Sequence, residues 1–133
     1  MRKYKLTDTT RLFHLSRYKH PDGTMFRPRI PENGLELEDE KTKRVCVSTS
    51  INGCFLAMGF ENEYTFAWIF EPVNYKKIEN HIFQPTKNEV PDVIETREKW
   101  ITCPVKMKCV GYATMSSTQR GKGKIKIHFD TKQ

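Results

Sequence analysis

The sequence has no long apolar run. No stretch of its 133 residues approaches the roughly 20 consecutive apolar residues that a membrane-spanning helix needs. The first residues, MRKYKLTDTTRLF, also lack the apolar segment typical of a signal peptide. We therefore expect a cytoplasmic protein that has no membrane partner.

The spacing of the cysteines fits neither a metal site nor a disulfide framework. The four cysteines form no CxxC or CxxH pair. Structural zinc sites present their ligands as closely spaced pairs, and disulfides belong to exported proteins. We predict no metal site and interpret the cysteines as small core residues: Cys46, Cys54, Cys103 and Cys109.

The strongly specific catalytic motifs are also missing. The chain contains no GxxxxGK[ST], GxGxxG, HExxH or GxSxG sequence, which argues against phosphate-loop and α/β-hydrolase chemistry. It shows no internal repeat and no low-complexity linker. The length is typical of one domain, so we predict a single domain over residues 1–133.

What the chain does have is aromatic residues and positive charge. It contains eight Phe, five Tyr and two Trp and carries a formal net charge of +7. Positive charge raises the local concentration of anionic partners. The densest basic segment is QRGKGKIKIHFDTKQ, where basic and apolar residues alternate. This alternation predicts a strand that is either a solvated sheet face or a polyanion-binding surface formed by Lys122, Lys124 and Lys126.

The hydrophobic pattern predicts an α+β fold that is mostly β, with one or two short helices in its first half. We expect strands at Arg11–Ser16 and Arg44–Ser50, and a helix from Ile51 to Met58 that is capped by Ser50 and followed by Gly59. Two prolines make Phe26–Asn33 a predicted loop.

The second half reads as a series of strands. Tyr64–Phe70 alternates an aromatic face, which we interpret as core rather than as a dimer contact, with a face of smaller residues. HIFQP, EKWITCPV, MKCVGYATM and GKIKIHF are the further predicted strands, and NEVPDVIETRE is a predicted loop.

Three weaker features follow one another along the chain. His14, with Ser16 close by, lies on the first predicted strand, and hydroxyls at Ser48 and Ser50 precede a helix start that could offer donors to an anion. Glu98 opens a later strand. Each has a structural alternative: a structural histidine with its hydrogen bonds satisfied, a simple helix cap, and a surface carboxylate whose replacement by Gln would cost little stability.

In this order the three features resemble the ADP-ribosyltransferase-like fold, a compact split sheet. RVCVSTSINGCFLAMG resembles the second strand and helix of that family, and EKWITCPVKMKCVG resembles its closing strands. The stretch PRIPENG…EDEKTKRVCVSTSINGCF also resembles small uncharacterised proteins of phages of Gram-positive bacteria. The resemblance implies a phage-derived enzyme that modifies a host macromolecule with NAD in the host cytoplasm.

The resemblance also implies roles for individual residues. His14 and Ser16 would belong to the NAD site, with His14 at the adenine-side ribose and the backbone of Leu15 at the nicotinamide amide. Ser48 or Ser50 would support the pocket. Glu98 would be the catalytic residue, because a carboxylate stabilises the positive charge that develops on the sugar when nicotinamide leaves.

Two other functions stay open. The chain pairs His14 with a Ser-Thr-Ser second strand, a mixture of two family patterns, so an inactive relative could instead bind a host protein or a nucleotide. Arg27 and Arg29 would then be the anchors. A nucleic-acid binder would use Lys122, Lys124 and Lys126 with Trp68 or Tyr64 as stacking surfaces.

Overall fold

The computed structural model describes residues 1–31, 41–58, 65–116 and 124–130. Within these ranges the chain forms nine strands, two α-helices and a short 3-10 helix at Glu79–His81. The strands are β1 (Arg2–Lys3), β2 (His14–Ser16), β3 (Thr24–Phe26), β4 (Val45–Ser48), β5 (Thr65–Pro72), β6 (Ile82–Gln84), β7 (Glu98–Ile101), β8 (Val105–Ser116) and β9 (Lys124–Phe129), and the helices are α1 (Ile51–Ala57) and α2 (Val93–Thr96).

The strands form two antiparallel sheets. The first sheet has the order β1-β6-β7-β4, and the second has the order β2-β5-β8-β3 with β9 also paired to β8. An isolated bridge between Phe13 and Ser48 connects the two sheets. The described part of the chain is therefore mostly β, and one sheet passes into the other between β2 and β4.

Two apolar clusters hold the layers together. Helix α1 covers one face of the second sheet, where its fully buried Phe55 packs in a cluster with Leu15 and Ile69. The opposite face contributes Phe70 and Met107 to a cluster shared with the first sheet. The second sheet is thus packed on both faces near β2, which fixes the strand that carries His14.

Local sequence explains α1 and its junction with β4. The Val-rich β4 suits a buried strand. Ser50 then caps α1, because its Oγ accepts the N–H of Gly53 at 3.2 Å. Gly53 lets α1 approach α2, since a side chain there would meet the backbone of Thr96.

An ion pair between the exposed Arg11 and the buried Glu71 anchors the chain just before β2. Arg11 donates two hydrogen bonds to Glu71, of 2.8 and 3.2 Å, and the Tyr75 hydroxyl donates a third of 2.9 Å. The same hydroxyl accepts the N–H of Leu12 at 2.9 Å. This network ties the entry of β2 to the end of β5.

The predicted β4, α1, β5, β6 and β9 are confirmed, and Ser50 is the helix cap. Gly59 and Tyr64 lie outside the described residues. The first predicted strand is shorter than expected, because β2 pairs only over His14–Ser16.

Two predictions about the elements are wrong, and one boundary differs. NEVPDVIETRE contains α2, so a helix lies in the second half of the chain. The predicted loop at Phe26–Asn33 begins one residue later, because Phe26 ends β3, and residues 27–31 form no strand apart from the bridge at Arg29. Residues 32 and 33 lie outside the described residues, and β1 lacks the length for any periodic signal. EKWITCPV does not form one strand, because β7 ends at Ile101 and β8 begins after Pro104, which has no N–H to donate.

Candidate functional site

The strands β2 and β4 separate immediately after one bridge. Phe13 and Ser48 exchange backbone hydrogen bonds of 2.8 and 2.9 Å. From His14 onward, β2 pairs with β5 instead, with Leu15 opposite Ile69. We call the region between β2 and β4 beyond this bridge the split.

The backbone of Leu15 faces the split. Peptide groups alternate in direction along a strand, and those of Phe13 point toward β4. The N–H and C=O of Leu15 therefore point toward the same side, while its side chain is buried in the core. No hydrogen bond joins this peptide to the described residues of β4. One donor and one acceptor thus lie side by side at the split.

The His14 ring lies beside this position. Its Nδ1 is 2.8 Å from the carbonyl oxygen of Cys46 on β4. A carbonyl can only accept, so Nδ1 carries the proton and donates it. In the neutral ring Nε2 is then a hydrogen-bond acceptor.

The surroundings keep His14 neutral. Burial lowers the pKa of His14, the bond to Cys46 raises it, and the charges of Arg29 and His20 lower it further. The net pKa lies below the ordinary histidine value. An edge contact of 5.1 Å with Phe26 adds to the apolar surroundings of the ring. His14 therefore suits a hydroxyl donor better than an anion.

The hydroxyls of Ser48 and Ser50 have structural partners. Ser48 Oγ donates to the carbonyl of Thr96 at 2.7 Å and accepts the N–H of Ser50 at 3.0 Å. Ser50 Oγ caps α1. The two serines thus hold β4, α1 and α2 together at the end of the split, as the helix-cap interpretation predicts.

Glu98 lies directly across the strand pair from Ser48. The side chain is 6% exposed, so its interpretation as a surface carboxylate is wrong. Its Oε2 accepts the indole N–H of Trp100 at 2.6 Å. The guanidinium carbon of Arg44, which is also buried, lies 4.1 Å from the centre of the Trp100 ring. A carboxylate, an indole and a guanidinium therefore follow one another on one face of the first sheet.

The charge of Glu98 also reaches α1. Burial raises the pKa of the Cys54 thiol, the Ser48 backbone lowers it, and the negative charge of Glu98 raises it, to about 12 in total. The Cys54 thiol donates to the carbonyl of Phe13 at 3.3 Å. Cys54 is thus a protonated core residue, as the sequence predicts, and no reactive nucleophile.

The structure brings the backbones of the three features close together but does not place their side chains on one face. Side chains alternate along a strand, so the His14 ring lies on the face opposite to that of Phe13, which the register aligns with Ser48 and Glu98. Phe13, Ser48 and Glu98 occupy successive positions across β2, β4 and β7. Arg29 joins this neighbourhood, because its backbone exchanges hydrogen bonds of 3.1 and 3.0 Å with that of Arg44. Ser16 lies on β2, and its Oγ is 3.3 Å from Nε2 of His20.

The other predicted residues lie elsewhere. Lys124 and Lys126 are on β9, at the opposite edge of the second sheet. Arg27 is exposed after β3, and Lys122 lies outside the described residues. Sequence reasoning missed Arg44, Thr96 and Trp100, whose roles depend on pairing between distant strands.

The described residues hold no group of three or more His, Cys, Asp or Glu side chains arranged to bind a metal ion. Neither helix of the described chain has the length and apolar character that a membrane span requires. Comparison of the chain with protein-family models, curated proteins and solved structures finds no match.

Proposed function

We propose that this chain is a divergent ADP-ribosyltransferase-like protein that binds NAD at the split and modifies a macromolecule. The observation that carries this proposal is the Leu15 peptide, which faces the split beside the neutral His14. The carboxamide of nicotinamide has a carbonyl oxygen that accepts and an NH2 group that donates, so it can bond to both the N–H and the C=O of a single strand residue. The two sheets joined by one bridge also fit a split-sheet fold.

The resemblance assigns the transfer chemistry to His14 and Glu98. His14 Nε2 would accept a hydrogen bond from a ribose hydroxyl. Glu98 would place negative charge where the sugar becomes positive as the bond between its anomeric carbon and the nicotinamide nitrogen breaks. The bonding pair leaves with nicotinamide, and an acceptor group then bonds to the carbon and loses its proton. Following the phage resemblance, the acceptor would belong to a host macromolecule.

Calorimetric titration with NAD tests the site. We expect saturable binding that is weakened at least tenfold in His14→Ala and unchanged in His81→Ala, an exposed control. The analogue whose carboxamide is replaced by a carboxylate should bind about tenfold more weakly, because it has no N–H for the Leu15 carbonyl. No heat change at millimolar NAD, or equal affinity for both compounds, would refute this assignment.

A catalytically inactive binding protein is the second candidate. It is favoured by the 6% exposure of Glu98 and by the structural bonds of Ser48 and Ser50. Glu98→Gln separates the two functions, because the amide oxygen still accepts from Trp100 while the charge is lost. Loss of nicotinamide release in this variant supports the enzyme. The binding protein is supported if neither the unchanged protein nor Glu98→Gln releases nicotinamide. Charge reversal at Arg27 and Arg29 should then abolish binding of a partner.

A further inference from the structure

A second surface lies on the other half of the second sheet, away from the split. Four rings share one face of β5, β8 and β9, and we call them the aromatic platform: Phe66, Trp68, Tyr112 and His128. The strand register places Trp68, Tyr112 and His128 in one row across the three strands. The platform thus joins residues that are 60 positions apart in the chain.

The platform rings are ordered relative to one another. Tyr112 stacks on Phe66 with centroids 5.5 Å apart and planes 25° apart, and on His128 at 5.0 Å and 19°. Trp68 stands edge-on to Phe66 at 86°. Three rings therefore stack in a row that ends at the exposed His128, and the indole of Trp68 stands edge-on beside this row.

This face of the sheet is not the core there. The core side of the same strands carries Ala67, Ile69 and Ala113, which are fully buried. The platform residues are partly exposed on β5 and β8, and His128 is exposed. The interpretation of the aromatic face of β5 as core therefore holds for Phe70 and in part for Trp68, which is partly buried against the cluster that contains Phe70. Phe66 is partly exposed and belongs to neither core cluster.

Positive charge borders the platform. The ammonium of Lys19 lies 4.8 Å from the centre of the Trp68 ring. Lys124 and Lys126 alternate with apolar residues on β9 and share the face of His128. The sequence of β5 from Thr65 to Phe70, of β8 from Gly111 to Ser116 and of β9 contains no Asp or Glu.

We propose that the aromatic platform binds single-stranded nucleic acid. Unpaired bases stack on exposed aromatic rings, and their phosphates are attracted to lysines at the rim. An apolar partner would gain nothing from the three lysines, and a duplex hides the base faces that the rings would contact. Ser16 is the register partner of Trp68, so a bound strand would pass beside β2. Binding itself does not depend on the NAD site.

Fluorescence anisotropy with labelled 12-nucleotide single strands tests this surface at 50 mM salt. We expect Tyr112→Phe to bind like the unchanged protein and Tyr112→Leu about tenfold more weakly, because leucine keeps the bulk but lacks a flat ring. Lys126→Glu should also weaken binding about tenfold. Lys106→Glu is the matched control, since Lys106 is an exposed lysine of β8 that lies six residues before Tyr112.

The salt dependence provides an independent measure. Three lysines at the rim predict a slope of about −2 in log affinity against log salt, which is a loss of about 20-fold between 50 and 200 mM. A thermal melt of each variant shows whether it is folded. If Tyr112→Leu is unfolded, His128→Ala replaces it, because His128 lies at an exposed position.

Each outcome decides between occupants. Single-strand binding that needs the ring at position 112 and the charge at Lys126 supports the proposal. Equal affinity for heparin, duplex and single strand, unchanged in Tyr112→Leu, means attraction of any polyanion and overturns it. No binding at 50 mM salt also overturns it. Self-association of the chain that is lost in Tyr112→Leu assigns the platform to a dimer contact instead.

Discussion

Replacing Gly53 by alanine tests the junction that positions the candidate site. The new methyl group would lie 2.7 Å from Ser48 Oγ and 2.8 Å from the carbonyl carbon of Thr96, and closer still to the Thr96 oxygen. It would therefore occupy the space of the 2.7 Å bond from Ser48 to Thr96. We expect α1 to move away from α2 and this buried bond to break.

The expected cost follows from these contacts. Overpacking costs about 1–3 kcal/mol, and leaving the buried Ser48–Thr96 bond unmade costs about 1–3 kcal/mol. Alanine recovers about 1 kcal/mol, because it is the better helix former. We expect Gly53→Ala to lower the free energy of unfolding by about 3 kcal/mol, a large fraction of the stability of a small domain.

Urea unfolding followed by tryptophan fluorescence measures this change. Asn52→Ala, at the neighbouring exposed position of α1, is the control and should change stability by no more than about 0.5 kcal/mol. If Gly53→Ala proves as stable as Asn52→Ala, the close packing of α1 on α2 is wrong. The positioning of Ser48 and Glu98 derived from it would then fail too.

Three further predictions concern buried polar groups. Trp100→Phe removes the indole donor of the 2.6 Å bond to Glu98 and should lower the unfolding free energy by about 2 kcal/mol, measured by urea unfolding, because a buried carboxylate loses a hydrogen bond. Burial raises the pKa of Glu71, but bonds from Arg11 and Tyr75 lower it more, to a net value below the ordinary one. The stability that Glu71 contributes is therefore present above the ordinary carboxyl range and lost as the pH falls toward the lowered pKa, so thermal melts of Glu71→Gln should converge with those of the unchanged protein in acid. Cys54, with its pKa raised to about 12, should resist iodoacetamide at pH 8 in the folded protein, as measured by mass spectrometry.

Each of these has a contrasting case. Trp68→Phe changes the other tryptophan, which is partly exposed, and should cost less than Trp100→Phe; the reverse order would contradict the role of the indole bond. A Glu71→Gln difference that grows in acid would contradict the direction of its pKa. Alkylation of Cys54 as fast as that of the partly exposed Cys109 would contradict its burial.

The elements that the sequence predicts best are those with a strong local signal. The β-branched residues of β4 and the helical spacing of α1 with its Ser50 cap are such signals, and both elements form as expected. The short β1 and β3 and the four-residue α2 carry no period, so local pattern could not reveal them.

The candidate site shows the same division. The order of residue types along the chain singled out His14, Ser48 and Glu98. It did not predict that Glu98 is buried. A glutamate beside an aromatic residue looks like a surface position until cross-strand pairing places it opposite Ser48, with Trp100 as its donor. Pairing between distant strands is a long-range property that no local window contains.

By itself, the sequence determined the strand and helix periods, the capping of α1, the positive charge and the residue types available for chemistry, because these depend on neighbours within a few positions. The tertiary structure decided which peptide faces the split and which side of each aromatic strand is exposed. Both depend on strand register and on what packs against each face, and a shift of one residue would reverse them.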